Sequence, residues 1–354
     1  MTIDIYQVWD EYQLYNLEDQ VTSLFPESEW SVKDMFARIL SGDILGGITD
    51  TIELVIDGLV AEVTSFRNVF IWILVLGIVA AVISHFISIF DNHQIADIGF
   101  CFTYLCMIVV LIKCFMTTMT VASQAMENIV SFIRVFVPAY FLSVGVATGT
   151  LTSTVGYQVM ILIIYMVEHV LLTLVLPLIS SYVLLTVVNG LWIEEKLGLL
   201  AEGIEKGIRF LLKASIGVVT GISAFQSMIT PAIDSVKATA LHKTIAAIPG
   251  IGDAADGVMD MVLGSAVLIK NGIGVVLLLL LVGIAAVPLC KIFIMSFLLK
   301  TAAAVLGIIG DKRIVSCADK VGNGNQLLFK TAGTALLLFM ITISIAAYTT
   351  NRGF

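Results

Sequence analysis

Lys270 is the one charge between Asp260 and Lys291, in the stretch VLIKNGIGVVLLLLLVG (267–283). An ammonium at the centre of a bilayer costs about 3 kcal/mol on insertion scales, so such a lysine marks one of two things. It can hold a membrane boundary, its stem along the lipid and its head in water. It can instead work inside the protein, in the descending arm of a hairpin. The charge-free run 271–290 between Lys270 and Lys291 suits the boundary. Asn271 and the glycine after it would suit a helix break in either case.

A second signal is PGIGDAADGVMD (249–260), which carries Asp253 and Asp256. Gly250, Gly252 and Asp253 form a Gly-x-Gly-Asp run that resembles the motif of intramembrane aspartyl proteases. That chemistry needs a second aspartate sharing a proton with the first, commonly placed after a tyrosine in those families. Here none of the nine tyrosines precedes an aspartate. Two other readings stay open. One is a polar turn with Asp253 capping a helix N-terminus. The other is an acidic re-entrant tip that binds a cation or a proton, like the broken helices of transporters.

Glu168 and His169 lie between two apolar runs, where burial can tune both groups for proton transfer; a local pair at an interface or kink is the plainer reading. Lys113 sits inside an otherwise apolar segment. The four histidines form no metal cluster and H-E-x-x-H is absent. No G-x-x-x-x-G-K-[ST] loop is present to hold a nucleotide. The five cysteines show no C-x-x-C pair; Cys101, Cys106, Cys114 and Cys290 read as core residues and Cys317 as a loop thiol. No catalytic, cofactor-binding or metal-ligating residue is expected, no cofactor is implied, and the chain reads as a non-enzyme.

Membrane helices must position these residues. The chain has 354 residues, 58% hydrophobic and 13% charged, whereas a soluble domain carries about a quarter of its residues charged. Several apolar runs reach the roughly 20 residues that cross a bilayer as helix, and the alternating segments of a β-barrel are missing. The prediction is an all-α polytopic integral membrane protein. It has about six to eight transmembrane helices, two helical hairpins of a kind that can be re-entrant, and internal pseudo-repeats.

The acidic surplus behind the net charge of −8 lies in residues 1–66. They read as an amphipathic head, with helices near 4–22, 31–41 and 49–66, suited to a membrane surface. The remainder is slightly basic, with no patch for nucleic acid. Residues 67–354 form the membrane domain: span pairs near 68–120, 170–225 and 282–349, and hairpins near 121–167 and 229–281. The charge-free run 135–167 would be about 50 Å long as one helix, so it should break at ATGTLTST (147–154). PGIGDAADG (249–257) is the second break.

Pro138 and Pro177 stand as far apart as Pro249 and Pro288. ASQAM (122–126) matches AFQSM (224–228), and FLLKASIG (210–217) matches LLFKTAGT (327–334), setting Lys213 on Lys330. These matches favour a duplication. Gly145–Gly149 and Gly217–Gly221 have G-x-x-x-G spacing, which suits close helix packing within or between chains. If each hairpin enters and leaves by one side, loops 91–97, 193–207 and 311–326 share a face. The lysines and arginines collected there would be cytosolic and the acidic head extracytosolic.

GDAADGVMDMVLGSAVLIKNGIGVVLLLLLVGIAAVPLCKIFIMSFLLKTAAAVLG (252–307) is similar to the stage III sporulation protein AE family of endospore formers. ASQAMENIVSFIRVFVP and the acidic VWDEYQ and LFPES of the head resemble it too, so the resemblance covers nearly the whole chain. It implies a protein of the mother-cell membrane surrounding the forespore. It also implies a multi-protein channel across two membranes, with ring-forming subunits and a secretion-type ATPase as partners. The function implied is a permease-like or export-gate-like subunit. The alternative is an autonomous secondary transporter using Lys270, Asn271, Asp253, Asp256, Glu168, His169 and Lys113. Membrane lipid is a further expected partner, a homo-oligomer stays open, and nucleic acid is not expected. Members of the family usually begin with a signal-like leader, and MTIDIYQVWDEYQ has neither its basic nor its apolar region. The family supplies no proven catalytic or transport residue.

Overall fold

The computed structural model describes residues 93–148, 162–191, 197–245, 252–308 and 312–350, with scattered positions between 33 and 82. Side chains are described for 98–134, 162–191, most of 197–225, 274–308 and 312–344. Every regular element among the described residues is helical. Five helices carry the fold: α1, His93–Thr148; α2, Leu162–Asn189; α3, Gly198–Ile245; α4, Gly252–Leu306; and α5, Lys312–Thr350. They are long, α1 having 56 residues and α4 55.

Four windows are long and apolar enough to cross a membrane: Ile98–Arg134, Leu162–Asn189, Gly274–Leu306 and Lys312–Ser344. The described part of α3 is not among them, because its first turns hold Glu202, Glu205, Lys206, Arg209 and Lys213. The described residues thus provide fewer spans than expected, and the predicted span at 68–90 lies largely outside them.

Helix α5 is the centre of the bundle. It packs on α1, α2, α3 and α4, while α1 also runs along α4 and α2 along α3. The order around α5 is therefore α4, α1, α2, α3, and among the described residues α3 and α4 share no extensive contact. The seam on α1 shows how the sequence achieves this. Tyr104, Met107, Leu111, Cys114, Thr118, Ala122, Ala125, Ile129 and Phe132 are buried, an alternation of three and four that averages to the coiled-coil period. The opposite side of α1 exposes Ile98, Phe102, Val109 and Met116, as a lipid-facing surface does.

Lipid tails are as apolar as leucine, so association of such helices rests on close packing. Gly324 supplies it between α5 and α2, since a Cβ there would overlap the Val183 side chain. At Gly322 a Cβ would stand 3.0 Å from Lys300 Cγ of α4. The hydroxyls of Thr103, Thr118, Thr331 and Thr342 each donate to the carbonyl four residues back, which spares these side chains an unpaired polar atom inside an apolar helix.

One end of the bundle gathers the chain's turns. The Tyr104 hydroxyl donates to the Val187 carbonyl oxygen at 2.9 Å, and the Arg313 guanidinium lies 3.4 Å over the Phe100 ring. The Leu197 N–H donates to Asn189 Oδ1 at 2.9 Å, closing the connection from α2 to α3. The starts of α1, α3 and α5 therefore meet the last turn of α2.

Two expected loops are largely helix. Residues 198–207 are the first turns of α3, and 312–326 belong to α5. GDKRIVSCADKVGNGNQ looks like a loop because glycine, asparagine and charge dominate it. Folded, Gly322 and Gly324 are contact points with α4 and α2, and Cys317 is a buried helical residue rather than a loop thiol. Segment borders expected near residues 121, 229 and 282 likewise fall inside α1, α3 and α4.

The helix break that Asn271 and Gly272 would suit does not occur, since α4 is continuous from Gly252 to Leu306. A glycine in a helix interior costs only about 1 kcal/mol relative to alanine, too little to interrupt a long apolar rod. Helix α1 ends at Thr148 within ATGTLTST, and α4 begins at Gly252 within PGIGDAADG. The residues between α1 and α2, those between α3 and α4, and nearly all of the acidic head lie outside the described residues.

Candidate functional site

Among the residues singled out from sequence, Glu168 is the one the structure sets apart. Its side chain is 1% exposed, and neither carboxyl oxygen has a hydrogen-bond partner among the described residues. A buried polar group left unpaired costs about 1–3 kcal/mol, and more when it is charged. Packing alone gives no reason to keep one here. His169 is exposed: successive helical residues turn by about 100°, so the two side chains leave the helix in different directions. A proton relay between them, the less plain of the two readings, has no direct path.

Immediately after them α2 widens into a π-turn, Leu171–Val175, in which the Leu176 N–H bonds to the Leu171 carbonyl oxygen. Pro177 explains the widening. It has no N–H to give, and its ring crowds the carbonyl of Thr173, four residues back. The Thr173 hydroxyl donates to the His169 carbonyl oxygen at 2.7 Å, adding a partner where the regular ladder is disturbed. Pro288, set in register with Pro177 by the proposed duplication, lies instead in uninterrupted α-helix. Turns of the π type are frequent at functional sites.

The other sequence candidates are dispersed. Lys113 is exposed on α1. Asp253 and Asp256 occupy the first turns of α4, while Lys270 and Asn271 lie in its interior; the side chains of these four lie outside the described residues. Asn325 of α5 was not anticipated, yet it is 0% exposed and neither of its side-chain polar atoms has a partner among the described residues.

A charged cluster where α3 and α4 flank α5 was also not recognised as a site. Arg209 Nε donates to Glu205 Oε1 at 2.9 Å within α3. Lys300 of α4 stands 3.7 Å from Asp319 of α5, and Asn323 donates to the same carboxylate at 3.4 Å. Lys330 has Arg209, Glu205 and Lys300 as electrostatic neighbours, and Tyr182 of α2 has Glu205, Asp319 and Arg209. The Glu205–Arg209 spacing of four was a readable signal. The union of three helices was not, because 311–326 looked like a loop.

Chemically, the cluster can bind an anion, whereas the Glu168 carboxyl can take a proton or a cation. Among the described residues no three His, Cys, Asp or Glu side chains come together as a metal site.

Four membrane-length apolar helices around a packed seam define a polytopic α-helical membrane protein. Residues 30–350 match the family model for Stage III sporulation protein AE, and the chain belongs to that family. It is similar to Stage III sporulation protein AE of Bacillus subtilis (strain 168), with 21% identity over 323 residues, covering 91% of this chain and 80% of that relative. No solved structure matches the chain.

Proposed function

We propose that the chain is a non-catalytic membrane subunit of the sporulation channel linking mother cell and forespore, acting as its permease-like or export-gate-like part. The observation that carries this reading is family membership across residues 30–350. Ring-forming subunits and a secretion-type ATPase are the partners, and the mother-cell membrane around the forespore is the location. Lys206, Arg209, Lys312, Arg313 and Lys320 belong to the helix starts that gather at one end of the bundle. The positive-inside rule turns that end to the cytosol and leaves the acidic head for extracytosolic contacts. The test is purification from sporulating cells in mild detergent. Ring and ATPase proteins are recovered together with this chain; their consistent absence would refute the reading.

Glu168 and its π-turn favour a second reading, in which the subunit itself moves an ion or small solute. The two hairpins then form re-entrant tips of duplicated halves, with Asp253, Asp256 and Lys270 along the route. Flux into liposomes containing the purified protein tests it: Glu168→Gln abolishes the flux, and wild-type rates in that variant would remove the reading.

A further inference from the structure

One face of α5 lies between α3 and α4. Asp319, Asn323, Gln326, Lys330, Gly333 and Leu337 follow one another at helical spacing along it, and each is at least partly exposed. The face changes character at Lys330. Toward Asp319 it is polar. Beyond Lys330 it is apolar and bare: a Cβ on Gly333 would meet nothing within 4 Å, and Leu337 is 48% exposed.

Three cations from three helices border this face, Lys300 at the level of Asp319 and Gly322 and Lys330 two to three turns further on. Arg209 is held by Glu205, and Lys300 stands 3.7 Å from Asp319. Lys330 feels the charges of Arg209, Lys300 and Glu205, and Glu205 is already engaged by Arg209. Three positive charges thus face two negative ones. The flanks are apolar: Phe210, next to Arg209, is 70% exposed and Phe297, one turn before Lys300, is 60% exposed. Phe293 packs on Phe329 beside Lys330, with ring centroids 5.6 Å apart.

We propose that this groove binds an anionic glycerophospholipid, with the phosphate held among Arg209, Lys300 and Lys330 and an acyl chain lying along Gly333 and Leu337. A free anion would have no use for the apolar continuation, and a neutral lipid none for the surplus cation. Basic pockets between membrane helices are recognised sites for acidic headgroups. The open backbone at Gly333 leaves room for a chain where any larger side chain would fill the groove. The inference does not depend on the channel or the transporter reading.

Native mass spectrometry of the full-length protein, equilibrated with equal amounts of phosphatidylglycerol and phosphatidylcholine in detergent, tests it. The wild type retains phosphatidylglycerol in preference. Lys300→Gln and Lys330→Gln each weaken that retention roughly fivefold, as expected for one cation at a membrane surface. Gly333→Leu keeps every charge and loses the bound lipid, which surface adsorption would not do. Lys312→Gln, at the exposed start of α5, changes nothing, and circular dichroism verifies that each variant is folded. Equal retention of the two lipids by the wild type overturns the proposal. So does wild-type binding by folded Lys330→Gln or Gly333→Leu, or a second polypeptide cross-linking to position 337 in place of lipid.

Discussion

The Tyr104 hydroxyl donates to the Val187 carbonyl oxygen over 2.9 Å and fastens α1 to the last turn of α2. Gly190 lies directly against the phenol, because a Cβ there would run into the Tyr104 hydroxyl. Tyr104→Phe removes one hydrogen bond and strands a carbonyl, lowering stability by about 1 kcal/mol. Gly190→Ala lowers it more. The double variant is less destabilised than the two losses added together, since the clashing oxygen is gone. Thermal unfolding in detergent measures all three, and strict additivity would disprove the contact.

Gly324 and Gly333 lie on the same helix and predict opposite tolerance. Gly324→Val pushes α5 away from Val183 and costs about 1–3 kcal/mol by overpacking. Gly333→Ala projects into open space and leaves the unfolding temperature unchanged. Equal sensitivity at the two sites would mean that the packing around α5 is misassigned.

Glu168 should be dispensable for folding. Replacing an unpartnered buried polar group by an apolar one of similar size is neutral or stabilising, so Glu168→Leu unfolds at the same or a higher temperature than wild type. Sporulation efficiency nevertheless falls in cells carrying it. A marked loss of stability would show instead that the carboxyl serves the fold.

Lys206 and Glu202 form an exposed ion pair with 2.7 Å between charged atoms. The Lys206 hydrogen bond and charge hold the Glu202 carboxyl below its ordinary value, and Glu202 in turn raises Lys206. Whatever the pair contributes is present at neutral pH. It is lost as pH falls through the folded value of Glu202 or rises through that of Lys206. Solvent and salt screen such pairs, so Glu202→Gln has the same unfolding temperature and pH profile as wild type at physiological ionic strength. A shifted acid limb would show that the pair is shielded by something else.

Orientation is open to thiol labelling. In a cysteine-free background, Lys312→Cys reacts with an impermeant maleimide only from the cytosolic side. Lys270→Cys, placed well inside α4, reacts from that side only after membrane disruption. Labelling of position 312 in intact cells from outside would invert the topology.

The all-helical membrane class was legible because apolar runs of spanning length admit few alternatives. Helix α1 is described to Thr148 and α4 from Gly252, and the chain between these bounds and the next helices lies outside the described residues. Glycine and asparagine misled the reading at 311–326 and at Asn271, for a physical reason. In water such residues signal turns, but between membrane helices a glycine is a place of close approach, as Gly322 and Gly324 are. That Glu168 has no hydrogen-bond partner among the described residues was beyond any one-dimensional reading, because it depends on what other helices supply. The cluster at Arg209, Lys300 and Lys330 was hidden likewise, because its members come from three helices, Arg209 91 residues before Lys300 and Lys330 30 after it.

Helix α1 has 56 residues and is therefore about 84 Å long, almost three times the roughly 30 Å of hydrocarbon it must traverse. To hide entirely it would have to lean by about 70°, far beyond the usual inclination of roughly 20°. Such a helix either bends, for which Pro138 offers a place, or stands partly clear of the oily layer, and its last fourteen residues, VFVPAYFLSVGVAT, are themselves oily. Solvent is a poor neighbour for such a mast. Any length of it left outside the hydrocarbon is a surface that another apolar surface would cover.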